Sequence, residues 1–227
     1  MKILAFDTSG DLLSVALRRD SLWAEASLDR GLRHAEQLMA LVDFCFERAE
    51  MRSEDLDLVA CMLGPGSFTG LRIGMATAKG MSLGLGKPFV AVPTLDCLAW
   101  GLDTYPGLVV PVMDGKKGRF YSALYRRGER LTDWLDVSPA DLAARLDAYD
   151  EVLFTGPDAE LLEGLAGERS GFRIDRRART PAARALAEIG EGLFLREGPS
   201  PADAGPLYLR SSEAEESAAR RETGKGQ

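Results

Sequence analysis

The chain has 227 residues, 45% of them hydrophobic, and a formal net charge of −7. That length holds one large domain or two small ones with a real core. The acidic balance argues against autonomous binding to nucleic acid, which relies on an excess of phosphate-binding cations. No run reaches the roughly 18–20 apolar residues of a membrane span, and the first residues carry no secretory pattern.

Three cysteines (Cys45, Cys61, Cys97) are odd in number and far apart. They read as buried thiols of a reducing compartment, so a cytoplasmic protein is expected. His34 is the single histidine. No cysteines lie near it for a zinc site, and nothing places a serine beside it for a triad. No bound metal and no catalytic residue are expected.

In chain order, Lys2–Phe6 is an apolar strand ending at Asp7. Thr8–Asp11 is a turn, and Leu12–Arg18 and Leu22–Leu28 complete a three-strand meander. Asp7-Thr8-Ser9-Gly10 is turn chemistry in its own right. His34–Met51 is a helix with Leu38, Leu41, Val42, Cys45 and Ala49 at three- and four-residue spacing. Met39 and Phe46, seven apart, form a second apolar flank. His34, at the helix start, is expected to hydrogen-bond near that end. Leu56–Leu63 is the next strand.

Gly64-Pro65-Gly66-Ser67-Phe68-Thr69-Gly70-Leu71-Arg72-Ile73-Gly74 follows. Three glycines and a proline in seven residues demand a tight loop, because only glycine takes positive φ freely. Ser67 and Thr69 supply hydroxyls that can cap the next helix. A strand, a glycine loop and a helix together can aim N–H groups at an anion. Yet Gly70 comes one residue late for a dinucleotide fingerprint, and no Gly-Lys-Ser/Thr ends the loop. Pro65 and Thr69 stand where a hydrolase elbow needs glycines. The loop is therefore a tight turn with candidate anion affinity at Gly64, Gly66, Ser67, Thr69 and Gly70.

Leu71–Leu85 reads as a helix. Gly74, Ala78 and Ser82 recur every four residues, and small residues at that spacing admit a close neighbour. That neighbour is either the chain's own sheet or a partner helix. Met75, Met81 and Leu85 flank the stripe, and methionine adapts to contact surfaces. On the partner reading, the surface comprises Met39, Phe46, Leu71, Gly74, Ala78, Met81, Ser82 and Leu85.

Phe89–Val92 is a strand, Thr94–Gly101 a helix, and residues 101–107 a linker. Leu108–Met113 and Arg119–Arg126 then pair through a turn at Gly115–Gly118, with Leu131–Leu135 as a third strand. Ser138 caps a helix over Pro139–Leu146. Glu151–Thr155 is a strand, followed by a helix to Leu165. Thr180 caps a helix over Pro181–Phe194, with proline at its first position. Ser212–Gln227 is a polar tail with little to bury. The halves open alike, and the second has fewer elements. The expected units are residues 1–104, a reduced second lobe at 105–210, and a flexible tail at 211–227. Basic clusters occur at Lys116, Lys117, Arg119, Arg126, Arg127 and Arg130, and at Arg169, Arg173, Arg176, Arg177 and Arg179. They are either solvated surface or an accessory RNA contact within a larger assembly.

Six segments, in order, resemble the TsaB (YeaZ) family. They are Ile3–Ser9, Arg33–Glu36, the Gly64–Gly74 loop, Pro88–Leu95, Pro111–Tyr121 and Pro206–Arg210. Ala35 replaces a usual serine or threonine. The family usually carries Asp-Ala-Arg, and an acid before an aromatic pair, where this chain has Lys116 and Arg119.

The resemblance implies an α/β fold of the actin and sugar-kinase (ASKHA) type, with two lobes. In that superfold Asp7, Thr8 and Ser9 would face phosphates and a metal. It also implies a non-catalytic, cytoplasmic subunit. Its partners would be the related TsaD-like transferase and a TsaE-like ATPase, and it would form a homodimer when alone. Together these proteins install threonylcarbamoyl on the adenosine beside the tRNA anticodon, and tRNA is met only through the complex. ATP or ADP would bind weakly or only in the complex. A small nucleotide-dependent phosphotransferase of the same superfold is the rival, and a peptidase is a remoter third reading.

Overall fold

The computed structural model describes residues 1–29, 33–176 and 180–210. The expected tail at 211–227 and the basic residues Arg177 and Arg179 lie outside the described residues. β1 (Ile3–Asp7), β2 (Leu12–Arg19) and β3 (Leu22–Asp29) form an antiparallel meander. β4 (Leu58–Gly64) and β5 (Phe89–Pro93) continue the sheet in parallel from β1, giving the order β3-β2-β1-β4-β5.

β1 is buried along its whole length because both faces are covered. Leu4 and Phe6 pack with Leu38 and Val42 of α1 (His34–Ala49) and with Met75 and Ala78 of α2 (Phe68–Leu85). Ile3 and Ala5 pack on the opposite side. Hence the strand reads as a continuous apolar run instead of an alternation.

After α3 (Thr94–Ala99), a second sheet repeats the winding. β6 (Leu108–Asp114) pairs antiparallel with β7 (Phe120–Ser122) and, further along, with β8 (Tyr125–Arg126), which forms a short hairpin with β9 (Glu129–Arg130). β10 (Leu135–Val137), β11 (Val152–Thr155) and β12 (Phe172–Ile174) complete the order β10-β7-β6-β11-β12. Here too the first and second strands are antiparallel, and the fourth and fifth join in parallel. Two sheets wound alike are the duplicated actin-like fold.

The second lobe differs from expectation in how it is reduced. Its strands are more numerous but short. Its helices shrink instead, to α4 (Pro139–Arg145) and to a 3-10 turn Ala159–Leu162 followed by α5 (Glu163–Gly167). They stand where α1 and α2 stand in the first lobe. The third strand lies at Leu135–Val137, not at 131–135, and β12 was not anticipated from the basic stretch around it.

α6 (Ala183–Glu197) corrects two expectations. It starts later than Pro181, and Thr180 does not cap it. The Ala183 N–H donates instead to Ser14 Oγ of β2, at 3.2 Å. The helix also lies on the first sheet, although residues 105–210 were assigned to the second lobe. Ala183, Leu186 and Ala187 belong to the core cluster of Ile3, Ala5, Leu58 and Val90. Gly190 permits the close approach, since a Cβ there would sit 3.1 Å from Val90 and 3.2 Å from Ala60. Arg18 and Glu191 close the contact at 2.5 Å. A helix needs an apolar face to lie on, and the first sheet offers one in Ile3, Ala5, Leu58 and Val90. Among the described residues no helix is long and apolar enough to cross a membrane.

Candidate functional site

The glycine loop and the first hairpin lock onto each other. Thr8 Oγ1 donates to the Gly70 carbonyl at 2.7 Å, and the Ser67 N–H donates to the Ser9 carbonyl at 2.7 Å. Ser67 Oγ accepts from the Gly70 N–H at 3.3 Å, which caps α2. A Cβ on Gly66 would lie 2.6 Å from the Ser9 carbonyl oxygen, and one on Gly70 would overlap that of Thr8. Gly64 has φ of 118°, and its Cβ would lie 2.5 Å from the Leu207 carbonyl oxygen. The loop is glycine-rich because backbone presses on it from two sides.

Asp7 is buried at the end of β1. Its Oδ1 accepts from the Ser9 N–H at 2.7 Å and from Ser9 Oγ at 2.6 Å. Burial nevertheless holds its pKa above the usual carboxylate value, against these bonds and the nearby His34. His34 is itself buried, and its Nε2–H donates to the Gly10 carbonyl at 2.6 Å. The single histidine thus ties α1 to the first turn.

The raised Asp7 pKa has a definite sign. The folded state binds the proton more tightly than the unfolded one. The stability that Asp7 contributes is therefore fully present below the ordinary carboxylate range and is lost as pH rises from there through the raised value. Asp7→Asn keeps an acceptor for Ser9 and removes the buried charge. It is expected to raise the urea midpoint at pH 7 and to flatten that pH dependence; a lower midpoint at pH 7 would contradict this account.

The segment 206–210 clasps both lobes. Tyr208 stacks on Phe68 with centroids 4.5 Å apart, Arg72 lies over Phe68 at 3.8 Å, and Arg72 Nε donates to the Tyr208 hydroxyl at 3.0 Å. Two residues on, Arg210 makes a forked contact with Asp136 at 2.9 and 3.0 Å and donates to the Gly115 carbonyl at 3.2 Å. Arg119, one of the two family departures, also pairs with Asp136, at 2.8 Å. Lys116, the other, pairs with Asp114 at 2.8 Å. Arg210→Ala takes one of two arginines from the half-buried Asp136, leaving it to Arg119, and loosens the lobes. A loss of about 1–3 kcal/mol in denaturant unfolding is expected.

A groove of about 520 Å³ lies between α1 and α2, lined by Met39, Val42, Asp43, Phe46, Met51, Ser53, Gly80, Met81, Gly84 and Leu85. It brings Met39, Phe46, Met81 and Leu85 together. The other residues assigned to a partner surface are placed differently. Leu71 and Ala78 are buried in the core, and a Cβ on Gly74 would lie 2.5 Å from Thr8 Oγ1. Ser82 bonds locally to the Lys87 carbonyl at 2.5 Å.

The stripe Gly74-Ala78-Ser82 therefore packs inward. The small residues that face outward are Ala76, Gly80 and Gly84, the same four-residue spacing shifted by two. Both stripes are legible in the sequence, and only burial tells them apart. Gly80 and Gly84 meet nothing within 4 Å where a Cβ would stand. Among the described residues no packing requires glycine there, although each costs a helix about 1 kcal/mol relative to alanine.

The fold implies a nucleotide, and Asp7, Thr8, Ser9, Gly64, Gly66, Ser67, Thr69 and Gly70 are the residues expected to face its phosphates. The residues do not fit a phosphate there, because the hairpin fills the loop and takes its Ser67 N–H. Thr69 is exposed outside the junction. Among the described residues, no three His, Cys, Asp or Glu side chains come together so as to hold a metal ion. The cysteines are buried and free, with burial raising the thiol pKa of Cys45 to about 11 and of Cys61 to about 12.

A family model described as TsaD, tRNA N6-adenosine threonylcarbamoyltransferase, matches residues 31–163. The tRNA threonylcarbamoyladenosine biosynthesis protein TsaB of Bacillus subtilis (strain 168) is 33% identical over 225 residues, covering 95% of this chain and 96% of that one. YeaZ from Pseudomonas aeruginosa superposes with a TM-score of 0.77 at 25% identity, covering 92% of this chain and 99% of that one. An inorganic polyphosphate/ATP-glucomannokinase from Arthrobacter sp. strain KM, at 10% identity and a TM-score of 0.53, shares the fold. The model named for the transferase matches part of the chain, whereas the TsaB relative matches from end to end. The chain belongs to the TsaB family of tRNA threonylcarbamoyladenosine biosynthesis proteins.

Proposed function

We propose that this chain is a non-catalytic scaffold that binds a TsaD-like transferase through the α1–α2 groove. With a TsaE-like ATPase, the pair would serve threonylcarbamoylation of the adenosine beside the tRNA anticodon, in the cytoplasm. The observation that carries the reading is the outward stripe of Ala76, Gly80 and Gly84 beside Met39, Phe46, Met81 and Leu85. It joins close access for a helix to an adaptable apolar surface. The occupant is a matching pair of helices from the transferase. The transferase model matches residues 31–163, a span that includes α1 and α2, so related helices exist on both partners. Like surfaces pair about a twofold axis, and the same groove would form a homodimer when the transferase is absent.

Catalysis would rest with the partner. Here His34 is held by Gly10, and the glycine loop is closed by its own hairpin. Nucleotide would therefore bind the isolated chain weakly, or only within the complex. The same closure disfavours the small phosphotransferase. The test mixes the chain with the TsaD-like protein of the same cell and measures mass by sedimentation. A stable complex at micromolar concentration is expected. Two unassociated species would refute the scaffold, and tight nucleotide binding by the isolated chain would favour the phosphotransferase.

A further inference from the structure

The structure sorts the basic clusters of the sequence into those with carboxylate partners and those without. Lys116 and Arg119 pair with Asp114 and Asp136, Arg169 pairs with Asp147, and Arg176 pairs with Glu163. These cations are neutralised inside the chain. Arg173 of β12 has no carboxylate within 4.0 Å among the described residues, but it is a lone case, whereas the hairpin β8–β9 gathers three. Arg126, Arg127 and Arg130 are all exposed, and among the described residues none has a carboxylate within 4.0 Å. Glu129 stands opposite Arg126 across the hairpin, and Asp103 lies beneath Gly128, yet neither forms an ion pair with these arginines.

Instead the two flanking guanidiniums are held over rings. Arg126 lies over Tyr149 at 5.4 Å, and Arg130 lies over Trp134 at 4.2 Å. A guanidinium stacked on a ring is restrained while its N–H donors stay free. Arg127 (φ 51°) and Gly128 (φ 79°) make a left-handed turn at the tip. Three free planar cations thus sit on one hairpin with a single acid, on a chain whose overall charge is −7.

We propose that this hairpin binds the phosphate backbone of an RNA, and that the RNA is the tRNA brought to the assembled complex. The proposal rests on the scaffold reading for the identity of that RNA. Guanidiniums recognise phosphates through paired N–H donors, and their faces accept bases. The hairpin belongs to the second lobe, whereas the α1–α2 groove belongs to the first, so a partner on the groove leaves it exposed. The acidic remainder of the chain keeps such binding weak in isolation. That suits a contact made only once a partner supplies the main site.

The experiment compares wild type with Arg126→Gln/Arg127→Gln/Arg130→Gln, each in complex with the TsaD-like protein. The ligand is an unmodified tRNA transcript, titrated by fluorescence anisotropy over a salt series. Sedimentation first verifies that both complexes form. The triple variant is expected to bind about tenfold or more weakly near 0.1 M salt, with a salt slope shallower by about two. Glu129→Gln, which removes the one acid of the hairpin, is expected to bind a few-fold tighter.

Unchanged affinity and slope in an intact triple-variant complex would overturn the proposal. So would a triple variant that no longer joins the transferase while its circular dichroism stays native, because that assigns the hairpin to a protein partner. Should the wild-type chain itself fail to join the transferase, the scaffold reading falls separately. The isolated chains are then compared at low salt, where equal binding, or none, removes the hairpin from RNA contact.

Discussion

Gly84→Arg is expected to abolish assembly of this chain with a TsaD-like transferase while leaving the chain itself folded. Gly84 is exposed near the C-terminus of α2, and among the described residues a Cβ there would meet nothing within 4 Å. Arginine is a better helix former than glycine, and a cation near a helix C-terminus is favoured by the backbone dipole. The isolated variant should therefore be at least as stable as wild type in urea. In the complex the guanidinium would lie across the groove of Met81, Leu85 and Phe46, and the long side chain would bar close approach even where Asp43, the one carboxylate of the lining, pairs with it. A charge brought into a desolvated contact costs about 3 kcal/mol or more, a loss of affinity of at least a hundredfold. Gly80→Ala supplies the control, with a gain of up to about 1 kcal/mol in the isolated chain. Sedimentation of the mixed proteins reads the outcome. A Gly84→Arg complex of wild-type mass and affinity would remove the groove from the interface.

Gly70→Ala, a change of one methyl group, is expected to destabilise the chain by about 3 kcal/mol or more, at the upper end for overpacking. The added Cβ would overlap the Thr8 carbonyl oxygen, which is backbone and cannot rotate away. Relief requires the hairpin to lift from α2. That breaks the Thr8 Oγ1 bond to Gly70 and the Ser67 N–H bond to Ser9, and it exposes Asp7. Gly70 and Gly80 both lie in α2, so their opposite signs isolate tertiary fit from helix propensity. The check is the shift in urea midpoint for the two alanine variants. A Gly70→Ala midpoint near wild type would mean that the hairpin and loop are not locked together. It would also reopen the loop as an anion site.

Several features were legible in the residues because they depend on near neighbours. The meander, the α1 period of Leu38, Val42, Cys45 and Ala49, and the Ser138 cap of α4 are local patterns, and they appear as read. The resemblance of the six segments reached the family, since it samples the whole chain. The Gly74-Ala78-Ser82 stripe misled because a helix shows a four-residue small stripe on more than one side. Its inward side is chosen by Thr8, which is distant in sequence. Likewise, Ser67 and Gly70 looked like phosphate ligands because a loop's own sequence does not reveal what occupies it.

By itself the sequence determined the kinds of contact available: a glycine loop that must be tight, one histidine, an acidic chain with basic clusters, and two amphipathic helices. Those follow from the conformational freedom, charge and hydropathy of single residues and their spacing. Only the tertiary structure decided which of them remain free. It closed the loop with the first hairpin, sent α6 back to the first sheet, and turned Gly80 and Gly84 outward. It also paired Lys116, Arg119, Arg169 and Arg176 with carboxylates, while Arg126, Arg127 and Arg130 have no carboxylate partner among the described residues. The physical reason is common to all of these. Whether a donor, a methyl group or a charge is available depends on what other segment of chain lies within a few ångströms of it, and that distance is set by packing between residues far apart in sequence.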